Sequence, residues 1–357
     1  MNIILSKSPY IVEVSGTSVV GGKVEIFMRK EGLAYPTLPQ YTLSKLSPAS
    51  NVTKVFFDVA PYINEFITNK VCSINSSTLN VPTDIDSYVN VKIKKYKLVG
   101  STYTLIDEVN YYAFKGYGLN GINLNPSPYL LDQKTYYYHY DSSKTYDTLK
   151  AGDITVFNKF FIDFNLRYKY TNLRTGATTT NTITNAFDNE LFQNIYRVLP
   201  AYWADGNKLE IIDTYTSTTV ATYYFKPIEE CIYAPVTLDF INKYGAWQRE
   251  FLFKNSKDSI NVESQQHKNY RTAPNVYSEQ EALLTTFNTN GNESIKTNTG
   301  WVTEDFKDNL KQILLSDRIL INNRPATITT KQIDLQKNIN NKLINYSLDF
   351  QFSNNLI

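Results

Sequence analysis

The chain has 357 residues, enough at roughly 100 to 200 residues per domain for two or three domains with cores of their own. Its 36 Lys and Arg against 34 Asp and Glu leave a formal net charge of +2, which removes the electrostatic reason to expect nucleic acid or an acidic membrane as partner. Two Cys and two His exclude a disulfide scaffold and leave little room for metal or imidazole chemistry.

In chain order, the opening MNIILSKSPYIVEVSG has no basic region ahead of its short apolar run, and Glu13 interrupts the next, so no signal peptide is expected. No run approaches the roughly 18 apolar residues that a membrane helix needs, so no membrane insertion is expected. Gly16 to Lys23 has a superficial likeness to a phosphate loop, but Gly22 intervenes between the second glycine of the pattern, Gly21, and Lys23, which that glycine must directly precede, and Val24 follows where Ser or Thr is required. The segment reads as a turn between strands. Val24, Ile26 and Met28 alternate with Glu25 and Arg29, and Val89, Val91 and Ile93 alternate with Asn90, Lys92 and Lys94, the period of half-buried strands. Between them, Val55 to Asp58 reads as a strand leading into a short helix at Pro61 to Ile67.

Tyr111-Tyr-Ala-Phe-Lys115 and Tyr223-Tyr-Phe-Lys226 end two strand-rich regions, each after a polar turn and a short predicted helix, which suggests two tandem sandwiches of similar plan. The second of those helices is expected at Asn189 to Val198. Gly116 to Asp153, with the run Tyr136-Tyr-Tyr-His-Tyr140, is too long and too aromatic for an ordinary connector and reads as a linker or projecting arm. Val236 to Asn242, a turn at Asn242 to Gly245, and alternating Trp247, Arg249, Phe251 and Phe253 make a hairpin. Asn255 to Thr299 is polar and reads as a long loop or hairpin. Residues 303–316 carry the one strong amphipathic helix, with Thr303 as N-cap and Phe306, Leu310, Ile313 and Leu314 on one stripe. A strand at Ile319 to Ile321 and a turn at Asn322 to Pro325 follow. Ile344, Tyr346, Leu348, Phe350 and Phe352 then share the inner face of a last strand.

Tyr (28) outnumbers Phe (19), and a chain rich in aromatic and β-branched residues favours pleated sheet. The fold expected is mainly β: tandem β-sandwich-like domains with a C-terminal β-rich module carrying one amphipathic helix. The expected boundaries are an N-terminal β-sandwich-like domain at 1–116, the linker or arm at 117–153, a second such domain at 154–230, and the C-terminal module at 231–357.

Asp205, Glu210, Asp213 and Glu229-Glu230 lie near Tyr202 and Trp203, an arrangement a glycosidase or sugar-binding surface would need, although nothing in the spacing fixes the separation of two acids. His139 and His267 each lack a ligand or catalytic partner at a recognised spacing, and Cys231 reads as a small buried hydrophobe. No catalytic residue, cofactor or metal is expected. Tyr136, Tyr137 and Tyr138 are the candidate interface residues, since Tyr offers large contact area at little entropic cost. Tyr202 and Trp203 are the candidate saccharide contacts.

Ser8-Pro-Tyr-Ile-Val-Glu-Val14 with Tyr41-Thr-Leu-Ser-Lys45, the hairpin Leu238-Asp-Phe-Ile-Asn-Lys-Tyr-Gly-Ala-Trp247, and the ending Lys342 to Phe352 together resemble a family of virion proteins from tailed phages of Bacteroidetes, including crAss-like phages. The resemblance implies a structural component of the tail, tail hub or baseplate and carries over no active-site residue. The expectation is a virion structural protein, made in the host cytoplasm, that assembles with other copies of itself as a ring and with other virion proteins. The alternative is a carbohydrate-binding or polysaccharide-degrading tail component.

Overall fold

The computed structural model describes residues 2–17, 19–30, 32–48, 53–68, 80–82, 88–118, 134–140, 142, 154–158, 166–183, 192–196, 198–229, 234–270, 280, 282–335 and 344–355. The protein is mainly β, with 59% strand and 7% helix among the described residues. No helix among them is long and apolar enough to cross a membrane. The chain divides into two compact units, one of residues 1–228 with 241–249 and one of residues 229–240 with 250–357. The first unit therefore holds all that the sequence assigns to an N-terminal domain and an arm, and nearly all of the second domain.

The first unit opens with β1 (Asn2–Leu5), β2 (Ile11–Ser15), β3 (Gly21–Arg29), β4 (Tyr41–Leu46), β5 (Lys54–Asp58), α1 (Ala60–Asn64), β6 (Asn80–Pro82), β7 (Tyr88–Val99) and β8 (Thr102–Phe114). Five of these strands form a sheet in the order β1-β8-β7-β3-β4, and β2 pairs with β5. Val24, Ile26 and Met28 from β3 and Val89, Val91 and Ile93 from β7 meet Val12, Val14, Val55 and Phe57 from the small sheet in one apolar core. This is a β-sandwich, and period-2 alternation is what closes it.

The chain then repeats the plan. It continues with β9 (Thr135–Tyr140), β10 (Ile154–Asn158), β11 (Leu166–Asn172), β12 (Thr178–Ile183), β13 (Phe192–Tyr196), a 3-10 turn at Pro200–Tyr202, β14 (Asn207–Asp213) and β15 (Thr218–Glu229). The larger sheet runs β9-β15-β14-β11-β12, so in both sheets the order by chain position is first, fifth, fourth, second, third. In both repeats the remaining pair, β2 with β5 and β10 with β13, is antiparallel. Each repeat also places a short helix with Pro in its first turn after the second strand of that pair. The duplication suggested by the two Tyr-Tyr segments is thus a topological one. The expected helix at Asn189 to Val198 is corrected: Phe192 to Tyr196 is strand β13, paired with β10 and also with β6, because ladder bonds on both sides outweigh local propensity.

The chain continues with β16 (Val236–Ile241) and β17 (Trp247–Leu252), of which the second unit holds Val236 to Phe240 and Glu250 to Leu252, and with β18 (Lys257–Lys268), β19 (Leu284–Asn298), α2 (Phe306–Leu314), β20 (Ile319–Ile321), β21 (Arg324–Ile328) and β22 (Ser347–Asn355), all in the second unit. Its strands are ordered β18-β19-β22-β21-β20-β16. Phe306, Leu310 and Ile313 of α2 share one core with Leu238, Phe240, Ile295, Leu348 and Phe350. All five inward residues expected of the last strand region, Ile344 through Phe352, are buried. Helix α2 is shorter than 303–316, and Thr303 is not its cap. The N–H groups of Phe306 and Lys307 are taken by the carbonyls of Thr303 and Glu304, so a tight turn supplies what a capping side chain would have supplied. On β17 the expected alternation fails because both faces are covered: Gln248, Arg249 and Glu250 are buried beside Trp247 and Leu252, and Asn309 of α2 donates to Glu250 at 2.7 Å.

Candidate assembly surface

The candidate interface tyrosines lie on β9, the edge strand added to the second repeat's larger sheet. Tyr136 is 2% exposed and Tyr138 is 0% exposed, which corrects the projecting-arm reading for these two rings. Tyr136 stacks on Phe225 at 5.7 Å and meets Tyr223 at 6.3 Å, while Tyr196 stacks on Tyr223 at 5.4 Å and sits edge-on to Tyr168 at 5.8 Å. The ladders explain the exchange of residue types between repeats. Met28, Val91 and Tyr111 stand side by side across the first sheet, and Tyr170, Leu209 and Tyr223 across the second. Much of the tyrosine excess therefore goes into one aromatic core. Tyr137, between the two buried rings, is partly exposed. The remainder of the arm reading, 119–133 and 143–153, lies outside the described residues.

Tyr202 is buried, and Trp203 is only partly exposed. Tyr202 is 7% exposed and shares a 2.8 Å hydrogen bond with Thr179, and the Trp203 ring lies 5.0 Å from that of Tyr138, whose hydroxyl donates to the Trp203 carbonyl. The nearby acids are structural. Asp205 accepts from Arg174 at 2.7 Å and from Asn172 at 2.9 Å, and Asp213 accepts from the Tyr215 N–H and the Thr216 hydroxyl in the β14–β15 turn. Burial raises the Glu210 carboxyl, but Lys208 at 2.7 Å and Lys169 at 3.4 Å outweigh it and hold it below the usual carboxylate range. Among the described residues no group of three or more His, Cys, Asp and Glu is placed to hold a metal. Cys72, Cys231 and Glu230 lie outside the described residues. A groove of about 500 Å³ on the second repeat is lined by Lys134, Lys208, Thr219, Thr222 and Tyr224.

The surface that stands out is the β18–β19 hairpin, within the segment read from the sequence as a long loop or hairpin. All twelve residues of β18 are exposed. β22 supports β19 from Asn292 to Asn298, so beyond Asn292 the hairpin extends past the strand that flanks its base. Ile260 is 63% exposed, Val262 60% and Phe287 46%. The tip-side positions on both strands are mostly uncharged, with Gln265 opposite Phe287, Gln266 opposite Thr286 and His267 opposite Thr285. A two-stranded ribbon in water is marginal alone, and an unpaired edge is a template for another strand. The sequence signal is Ile260-Asn-Val262, with no proline from Asn255 to Ala273, too short an alternation to separate strand from loop.

Set against known proteins, the chain matches no family model and no curated protein.

Proposed function

We propose that this chain is a structural protein of a tailed-phage virion, working in the tail, tail hub, ring or baseplate, in contact with other copies of itself and with other virion proteins. The observation that carries the reading is the wholly exposed edge strand β18 on a hairpin that reaches past its flanking strand, in a protein whose first unit is built on a duplicated plan. Such an arm suits assembly, where a strand of one subunit completes the sheet of another through main-chain hydrogen bonds. The resemblance of the Ser8–Val14, Leu238–Trp247 and Lys342–Phe352 segments to phage virion proteins points the same way. Mass spectrometry of purified particles, with immunogold labelling on this chain, tests the proposal. A stoichiometric tail-region component supports it, and absence from washed particles sinks it.

The carbohydrate reading now rests on the groove at Lys134, Lys208 and Tyr224, where the Lys134 ammonium suits an acidic glycan while Lys208 is paired with Glu210. A polysaccharide-release assay comparing the wild-type chain with Lys134→Ala and Tyr224→Ala decides it: release that both changes abolish favours a depolymerising tail component.

A further inference from the structure

We propose that β18 is a homotypic docking edge through which two copies of this chain join, antiparallel and centred on Asn261. The inference deepens the assembly reading and rests on it only in taking the hairpin as a contact surface. Among the described residues β18 stands at the end of its sheet order, with no strand against its outer row of N–H and C=O groups along 12 residues. Native edges are normally blunted by proline, lysine, shortness or a bulge. From Asp258 to His267 there is neither proline nor lysine. The irregularity in the β18–β19 ladder falls between Glu263 and Gln265, which pair with Asn290 and Phe287, so the extra residue is on β19, where Asn288 has φ 51°. The outer strand stays regular.

The occupant follows from the order of residues along β18. Directly opposed residues share a face, so Asp258, Ile260 and Val262 share the face of Ile295, the partner of Asp258. Pairing the strand with itself about Asn261 sets Ile260 opposite the partner's Val262 and Val262 opposite the partner's Ile260. The two apolar side chains that the monomer leaves in water then cover each other across the dyad. In the same register Asp258 faces Ser264, Glu263 faces Ser259 and Lys257 faces Gln265, with no like charges opposed. Lys257 lies diagonal to the partner's Glu263, an opposite-charge neighbour. A strand that is its own complement in both apolar and charged positions fits a two-fold contact, in which the same patch serves both subunits. Such a contact closes on itself, so a ring of copies would use other surfaces.

The test uses the full chain in sedimentation and native mass measurements. Wild type is expected to form a dimer that I260K/V262K and I260E/V262E each lose, with both variants keeping the wild-type circular dichroism. Mixing the two variants restores a one-to-one dimer, because the introduced lysines face the introduced glutamates. Under oxidation N261C links to its symmetry mate and D258C does not. A wild type that stays monomeric at its solubility limit, a dimer that survives I260K/V262K, or variants that fail to pair when mixed overturns the proposal. A strand from a different virion protein on β18 would give the first of these outcomes. Presence in particles with a monomeric wild type would remove this interface while leaving the virion role standing, and a dimer absent from particles would do the reverse.

Discussion

Phe350 is fully buried on the inner face of β22, among Leu238, Ile295, Leu310 and Ile321. Truncating such a ring removes its transfer energy and leaves a cavity that helix and sheet fill only in part. Phe350→Ala is therefore expected to cost about 3 to 5 kcal/mol in denaturant melts, and wild-type stability would refute the inward assignment. Glu25 gives a pH dependence. Burial pushes its carboxyl up, but the Lys23 ammonium and the Tyr96 hydroxyl, each at 2.7 Å, outweigh burial and hold it below the ordinary range. A carboxyl with a lowered folded pKa stabilises above its unfolded value and loses that contribution as pH falls through the folded one. Glu25→Gln should thus be less stable than wild type near neutral pH, with the gap closing below about pH 4. A gap unchanged between pH 7 and pH 3 would show that the pairing does not stabilise the fold. On the other side of that bond, burial and then Glu25 push Tyr96 up to about 12. Two glycines separate conformational strain from crowding. Gly176 has φ +71° with nothing within 4 Å of the place a Cβ would take, whereas at Gly206, φ +77°, a Cβ would run into the Phe225 carbonyl oxygen. Gly176→Ala should cost about 1 to 2 kcal/mol, the cost of a left-handed conformation alone, and Gly206→Ala clearly more. Equal midpoints in urea would refute the distinction.

The β18–β19 hairpin and the β7–β8 hairpin have similar lengths but different support. β7 is held between β3 and β8, and both belong to a packed sandwich, whereas among the described residues the distal part of β18 pairs with β19 and no other strand. Local stability follows such support. In the monomeric I260K/V262K variant, amides from Ile260 to Lys268 should exchange orders of magnitude faster than those of Ser294 and Ile295, which sit between β18 and β22. Hydrogen exchange read by mass spectrometry checks this, and comparable protection would mean that the hairpin is buttressed along its length. The same contrast explains the burial of the tyrosine run. Period-2 alternation in Tyr136-Tyr-Tyr sends the outer pair of rings one way and Tyr137 the other, and the sheet to which β9 pairs supplies an aromatic floor for the first two.

At the scale of the chain, duplication organises the first unit. The core of the first repeat is made wholly by residues from Ile4 to Ala113. A fragment of residues 1–118 is accordingly expected to unfold cooperatively with a β-type circular dichroism spectrum. A fragment without a melting transition would show that the repeats depend on each other. The signature of the repeat was present but dispersed. Phe57-x-Val59-x-Pro61-x-Ile63 and Tyr196-x-Val198-x-Pro200-x-Tyr202 occupy the same place after β5 and β13, with the six apolar and aromatic residues buried in both and Pro in the first turn. Their spacing is identical while most of their residue types differ, so the short Tyr-Tyr match was visible and this one was not.

Alternation and composition carry the mainly-β character, the inward faces of β3, β7 and β22, the β16–β17 hairpin and the stripe of α2, because these depend on local period and side-chain type alone. Partners far along the chain settled the remainder. Whether Tyr136 and Tyr138 face a neighbour or a core depends on Phe225, Tyr223 and Trp203, the last of them 65 residues beyond Tyr138 in sequence. Whether Tyr202 can stack on a sugar depends on Thr179, and whether Ile260 is core or surface depends on where β22 stops supporting β19. Local sequence sets which side of a strand is apolar, but what lies against that side is set by non-local pairing, and here that pairing buried Tyr136 and Tyr138 in a core and left the residues of β18 exposed.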